Sequence, residues 1–192
     1  MKAFIGCEYS ARVRTAFVVR GHYALSCDLL PTAIPGEHHQ GDLFDFLDKV
    51  PDGYFDIGIF HPPCTHLAVS GARWFPAKRA DGSQQAALDF VARCFSCRGK
   101  FRIGMALENP VSIISSHFCK PDQVIQPWQF GHGEVKATCL WLDGLPLLVP
   151  TNIVDGREAR VHKLPPSSDR WKLRSTTYQG IADAMAQQWG SL

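Results

Sequence analysis

The sequence lacks an apolar run long enough to cross a bilayer, and no signal peptide is recognisable before its first strand-like residues. Its seven cysteines are odd in number and irregularly spaced. They therefore do not resemble the paired framework of a small secreted domain. We expect free thiols in a reducing cytoplasm and no contact with a membrane.

A metal-binding pattern is also missing. Cys94 and Cys97 form one CxxC pair, but no second pair completes a tetrahedral zinc site. We expect no metal and interpret these two cysteines as the end of a helix.

Neither sign of charge predominates, because 20 Lys and Arg and 18 Asp and Glu give a net charge of +2. Such a balance does not by itself indicate a nucleic-acid-binding protein. The excess lies between Asp155 and Arg174, where six basic residues accompany three acids. Phosphate contacts and a solvated basic surface are both compatible with this stretch. Its basic residues are Arg157, Arg160, Lys163, Arg170, Lys172 and Arg174.

Short apolar runs alternate with helical stretches, a pattern typical of parallel βαβ units. At 192 residues the chain suggests one domain, with at most a short appendage. We predict an α/β fold with a mostly parallel sheet and helices on both faces. The predicted strands are 2–7, 23–27, 55–60, 103–107, 124–126 and 137–142. The predicted helices are 10–20, 43–47, 83–94 and 180–189, with Ser83 as the N-cap of the third.

Polar residues follow several predicted strands. They are Cys7 with Glu8, Asp28, Asp42, His61 to Cys64, and Glu108 with Asn109. Because ligands of open α/β sheets bind beyond the carboxyl ends of the strands, the sequence predicts a site at this edge. A carboxylate after the second strand typically accepts hydrogen bonds from ribose hydroxyls. Asp28 and Asp42 together suggest an adenosine-containing cofactor, although either alone suits a turn or a helix cap.

The segment His61-Pro62-Pro63-Cys64 is more specific. Two prolines stiffen the exit from an apolar strand and place the Cys64 thiol at the sheet edge. A buried structural thiol is the alternative. Glu108 is a poor partner for a thiolate in hydrolysis, which requires a histidine base. It suits attack on a pyrimidine, since a carboxylic acid can hydrogen-bond to ring N3 and the exocyclic amine as charge develops.

Motifs along most of the chain resemble the cytosine carbon-5 DNA methyltransferase family, in a short form like those of bacteriophages. Pro63-Cys64 followed by Ser70-Gly71 resembles the nucleophile motif, and Glu108-Asn109 the Glu-Asn-Val motif. The segment 130–138, Phe-Gly to Lys-Ala-Thr, resembles the basic motif after the sixth strand, and 178–182 the C-terminal Gln-x-Gly-Asn motif.

The resemblance implies a Rossmann-like S-adenosylmethionine-dependent methyltransferase fold. It also implies methyl transfer to carbon-5 of cytosine in DNA, through a cysteine adduct at carbon-6, in the cytoplasm of a bacterium or a phage-infected host cell. The implied catalytic residues are Cys64, Glu108, Asn109 and Lys136. Those implied for cofactor binding are Cys7, Glu8, Tyr9, Asp28, Asp42 and Pro62. Those implied for substrate or DNA binding are Ser70, Lys136, Thr138, Arg157, Arg160, Arg170, Lys172 and Arg174.

The chain departs from the family pattern in several places. Residues 7–12 contain no glycine where the family has a glycine-rich loop, and Lys136 and Thr138 replace two arginines. Only about 35 residues separate Leu142 from Tyr178, where the family has a large target-recognition domain. We therefore predict a catalytic and cofactor-binding core at 1–142, a basic linker at 143–176, and a helix at 177–192 that returns to the core.

Other functions remain open. A free cytosine nucleotide or a single strand as substrate would remove the need for a duplex reader, because base flipping serves only stacked bases. A catalytically idle relative that binds DNA or a host protein is another possibility, against which the presence of both Cys64 and Glu108 argues. An amino-group methyltransferase would need no thiol, so Cys64 argues against it.

Overall fold

A computed structural model describes residues 1–192. Seven strands form one sheet in the order β3-β2-β1-β4-β5-β7-β6. The first five are mutually parallel, whereas β7 runs antiparallel to both β5 and β6. The strands are β1 Lys2–Gly6, β2 Tyr23–Asp28, β3 His38–Gln40, β4 Phe55–Phe60, β5 Phe101–Pro110, β6 Gln123–Ile125 and β7 Thr138–Asp143.

The order of the first five strands is that of a doubly wound nucleotide-binding sheet, in which the strand order reverses between β1 and β4. Ligands of such sheets bind beside this reversal, beyond the carboxyl ends of the strands. The helices are α1 Arg12–Val19, α2 Leu43–Leu47, α3 Phe75–Ala80, α4 Ser83–Ser96, α5 Ile114–His117, α6 Arg160–Lys163, α7 Arg170–Ser175 and α8 Gln179–Gln188.

Both faces of the sheet are covered by helices. Successive strand residues point to opposite faces. Ala3 and Ile5 of β1 accordingly join one apolar core with residues of α1 and α8. Phe4 joins a second core with residues of α2 and α4. The predicted α/β fold with a mostly parallel sheet and helices on both faces is therefore confirmed.

Two local predictions are wrong. Ser83 is the first residue of α4, and Gly82 with φ 77° precedes it as the N-cap. The side chain of Asp81 accepts a hydrogen bond from the Ser83 backbone N–H at 2.9 Å, and so satisfies one of the free donors at this helix end. Strand β5 continues to Pro110 and does not stop before Glu108, because its last three residues pair with residues of β7.

None of the helices is both long and apolar enough to cross a lipid bilayer.

Candidate active site

A cleft of about 940 Å³ opens at the carboxyl edge of the sheet, beside the reversal between β1 and β4. Its walls come from the residues that follow β1, β2, β4 and β5, and from the segment that includes α7. The lining includes Cys7, Glu8, Tyr9, Asp28, Pro62, Cys64, Ser70, Glu108, Asn109, Lys136, Arg170 and Arg174. Most of the residues predicted for the site therefore face one cavity.

The end of β5 extends beyond its parallel neighbour. Pairing of β4 with β5 stops at Phe60 and Leu107, whereas β5 continues to Pro110 against β7. The β4 chain turns away there through Pro62 and Pro63. Asn109, which is 1 % exposed, donates from Nδ2 to the Pro62 carbonyl at 2.8 Å. This buried hydrogen bond ties the cysteine-bearing turn to the strand that carries Glu108.

Cys64 is partly buried and lines the cleft, so it is not a core thiol. Burial raises the pKa of this thiol, and the nearby Glu108 carboxylate raises it further. The positive charges of Lys136 and Arg174 act in the opposite direction. The thiol is therefore protonated at rest, and the surrounding cations favour the thiolate when it forms.

Glu108 is hydrogen-bonded to His61, with 2.9 Å between its Oε2 and Nδ1 of the imidazole. The side chains are only 13 % and 10 % exposed. Burial alone would raise the pKa of Glu108, but the hydrogen bond and charge of His61, together with the charge of Lys136, outweigh it and lower that pKa. His61 was not among the predicted site residues. Its Nε2 atom is buried and has no protein hydrogen-bond partner.

The loop after β1 contains no glycine, but two of its residues have the positive φ values that glycine usually adopts. Cys7 and Ala11 have φ values of 59° and 58°, a region that costs most residues about 1–2 kcal/mol. Glu8, which is 4 % exposed, accepts from the backbone N–H groups of Val13 at 2.6 Å and Arg14 at 3.1 Å. Its carboxylate therefore occupies the start of α1, where a dinucleotide enzyme would bind a phosphate.

The two predicted ribose and adenine ligands have different environments. Asp28 lines the cleft and uses Oδ1 to accept from the Leu30 N–H at 2.9 Å, while Oδ2 makes no protein hydrogen bond. Asp42 is exposed and does not line the cleft. Its Oδ1 accepts from the backbone N–H groups of Phe44 and Asp45 and so caps α2.

The segment 143–176 folds over the cleft and is anchored to the core. Backbone hydrogen bonds join Glu158 to Gly133 and Val135, each at 2.9 Å, and Val161 is 3 % exposed. We refer to residues 157–176 as the roof. The Trp171 ring of the roof contacts the Tyr9 ring, with centroids 5.7 Å apart. The predicted linker is thus a wall of the site.

The basic residues predicted to contact DNA separate into two groups. Arg170 and Arg174 line the cleft. The others are engaged elsewhere: Arg157 lies over the Trp128 ring, Arg160 pairs with Glu134 at 2.8 Å, and Lys172 pairs with Asp169 at 3.5 Å. The cleft also contains Arg73, Lys78 and the half-exposed Trp74, which the sequence reasoning did not identify.

Lys136 and Thr138 play unequal parts at this edge. Lys136 lines the cleft, and its Nζ lies 3.5 Å from the Thr176 carbonyl of the roof. Thr138 is 4 % exposed and lies outside the lining. Its hydroxyl donates to the Lys136 carbonyl at 3.1 Å, so it fixes the Lys136 backbone and makes no direct contact with the cleft.

No group of three or more His, Cys, Asp and Glu side chains is arranged to hold a metal ion. Comparison of the sequence with protein-family models and with curated proteins finds no match.

Proposed function

We propose that this chain transfers a methyl group from S-adenosylmethionine to carbon-5 of cytosine in DNA, with Cys64 as the nucleophile. One observation carries the proposal. Cys64 follows β4, and Glu108 lies near the end of the adjacent parallel strand β5. Asn109 ties the Pro62 backbone to β5, and the side chains of Cys64 and Glu108 line one cleft with Lys136. A thiol, a carboxyl group and a cation around one cavity match the needs of attack on a pyrimidine ring.

The residues of the first loop fit this cofactor better than a phosphate-bearing one. Asp28 offers a free carboxylate oxygen to a ribose. Glu8 occupies the start of α1 and accepts two of the backbone hydrogen bonds that a pyrophosphate would otherwise receive there. S-Adenosylmethionine combines adenosine with a cationic sulfonium and carries no phosphate. When bound, it would supply an electrophilic methyl group.

The side chains of the cleft would divide the remaining chemistry. The Cys64 sulfur would form a bond to carbon-6, which makes carbon-5 nucleophilic. Glu108 would hydrogen-bond to N3 and the exocyclic amine, and Lys136 would stabilise the negative charge that builds up nearby. After carbon-5 gains the methyl group, it would lose its proton to water in the cleft. The electron pair of that C–H bond would re-form the double bond, and the sulfur would leave as a thiolate.

A second substrate is favoured by one specific observation. The roof lies across the cleft and brings Trp171 against Tyr9, in addition to Trp74 at the rim. Exposed aromatic rings beside Arg73 and Arg174 are typical of sites that bind unpaired bases. A single strand or a free cytosine nucleotide is therefore the second candidate.

The test is to incubate the protein with labelled cofactor and, separately, duplex DNA, a single-stranded oligonucleotide or dCMP. Digestion and mass spectrometry then show which cytosine has gained a methyl group. A Cys64→Ser sample is the matched control. Failure of all three substrates to gain label would refute the proposed reaction.

A further inference from the structure

We propose that His61 and Glu108 act as one acid, which holds a shared proton and delivers it to N3 of the base as Cys64 attacks. His61 is a positioning residue in this arrangement, because it acts through Glu108. The inference deepens the proposed function and rests on it.

The geometry separates the two oxygens of Glu108. Oε2 is occupied by Nδ1 of His61 at 2.9 Å, whereas Oε1 has no protein partner. His61 directly follows β4 and precedes the rigid Pro62-Pro63 turn, which limits the movement of its backbone. The carboxyl group therefore has a fixed orientation, with one oxygen available to the cleft.

Charged side chains from several neighbouring elements surround the pair. His61 interacts electrostatically with two carboxyl groups: Glu8, which follows β1, and Glu108, which lies in β5. Lys136, from the chain before β7, faces Glu108, and Arg174 of α7 faces the Cys64 thiol. The 2.9 Å hydrogen bond between Nδ1 of His61 and Oε2 of Glu108 places a proton between the two groups.

The step balances as follows. The Cys64 thiol loses its proton to water in the cleft, a loss that the charges of Lys136 and Arg174 favour. The sulfur then forms its bond to carbon-6, and the π electrons of the carbon-5 to carbon-6 bond move into the ring. The one proton that His61 and Glu108 share passes from the Glu108 carboxyl group to N3, so that a neutral imidazole is left beside a carboxylate. When the sulfur leaves carbon-6, N3 returns the proton to the pair.

His61→Asn tests the idea, since the asparagine amide can still donate to Glu108 but cannot store a proton. The probe is a single-stranded oligonucleotide that contains 5-fluorocytosine, in which fluorine cannot leave and the cysteine adduct is trapped. The rate of adduct formation is measured against pH in the presence of cofactor. His117→Asn, an exposed position on α5 outside the cleft, is the matched control.

We expect the alkaline limb of the pH profile to move to lower pH in His61→Asn, with a loss on the order of tenfold or more at the alkaline end. The control should overlay the wild type. A mere packing role for His61 would lower the rate equally at all pH values, and that result would overturn the inference while leaving the reaction intact. If the wild type forms no adduct, the proposed function is overturned, and there is then no cytosine N3 to receive the shared proton.

A measurement that needs no turnover guards against a variant that fails to fold. Carbon-13 NMR of labelled glutamate side chains follows the titration of Glu108 directly. In His61→Asn the pKa of Glu108 should rise, because burial is then no longer opposed by the imidazole charge. If His61→Asn is unfolded, Glu108→Gln should abolish the alkaline limb of the adduct rate, and a limb unchanged in that variant contradicts the inference.

Discussion

Cys64 occupies a position in which a thiol can be both fixed and reachable. Pro62 and Pro63 provide no backbone donors, so their segment cannot extend the sheet, and Asn109 captures the Pro62 carbonyl instead. The thiol then lies over the cleft and not in either apolar core.

We expect Cys64→Ser to abolish methyl transfer and to leave cofactor binding unchanged, because the sulfur acts on the base. Isothermal calorimetry with S-adenosylhomocysteine, run on wild type and variant, measures binding separately from turnover. Cys97→Ser, which does not line the cleft, is the control. Turnover by Cys64→Ser at the wild-type rate would remove this residue from the reaction.

Asp28 and Asp42 provide a matched pair of carboxylates. Asp28→Ala should weaken cofactor binding by about 1.5–3 kcal/mol, the usual cost of losing hydrogen bonds to a charged group. Asp42→Ala should instead lower the free energy of unfolding by about 0.5–2 kcal/mol, because it removes the N-cap of α2. Calorimetry and urea unfolding on both variants check the two effects. A reversed pattern would place adenosine beside α2.

At the scale of elements, the roof is the least conventional part of the chain. The short helices α6 and α7 contribute few buried side chains, and their position depends on polar contacts with the loop before β7. Glu134 is central to these contacts. It accepts from Arg160 through Oε1, and from the Tyr178 hydroxyl through Oε2 at 2.7 Å.

The attachment of the roof should depend on pH. Burial alone would raise the pKa of Glu134, but hydrogen bonds from Arg160 and Tyr178 prevail and lower it. A carboxyl with a lowered folded pKa contributes its stability above its unfolded pKa of about 4.3 and loses it as pH falls through the folded value. Arg160 is half-exposed, so the ion pair contributes at most about 1 kcal/mol.

We therefore expect amides in 157–176 to exchange faster as pH falls below about 4, after correction for intrinsic exchange rates. Glu134→Gln should reproduce the faster exchange at pH 7. Glu158→Gln, an exposed neighbour without an ion pair, is the control. Hydrogen exchange with mass spectrometry reports both, and equal protection in Glu134→Gln would show that other contacts hold the roof.

The salt dependence of nucleic-acid binding should come from the two roof arginines that line the cleft. If both contact phosphates, Arg170→Gln with Arg174→Gln should flatten the slope of log affinity against log salt by about 1.4–1.8, at roughly 0.7–0.9 per phosphate. Arg157→Gln with Lys163→Gln removes the same charge outside the cleft and should leave the slope unchanged. Fluorescence anisotropy with a labelled oligonucleotide measures both slopes. Equal slopes in the two double variants would mean that net charge, and not the cleft, attracts the nucleic acid.

At the scale of the molecule, most of the sheet could be predicted, because its central strands are short apolar runs that end in polar residues. Residues 55–60 illustrate this, since all six are buried and the chain turns at once into His-Pro-Pro. Strand β3 was missed because its sequence, His-His-Gln, contains no apolar residue. The end of β5 could not be predicted in the same way. Pro110 indicates a stop, and only the pairing with distant β7 extends the strand through it.

Single residues of the site could be predicted from the sequence, but the contacts between them could not. Cys64 and Glu108 stand out because of their places after apolar runs. The contact between His61 and Glu108 joins residues 47 positions apart, and no local pattern encodes it. The roof was missed for a similar reason. Its sequence has little apolar periodicity, and its backbone pairs with residues 133–135, which are distant in the sequence.

The Glu8 cap has a consequence for competition among adenosine ligands. A pocket that recognised only adenosine would accept ATP and NAD as readily as a sulfonium cofactor, and each would then inhibit. Asp28 cannot make this distinction, because all three ligands carry a ribose. Glu8 can, since its carboxyl group occupies the start of α1, a helix end of the kind that binds phosphate. Selectivity against the common nucleotides would thus arise from the same side chain that starts α1, and a loop without glycine would be sufficient to provide it.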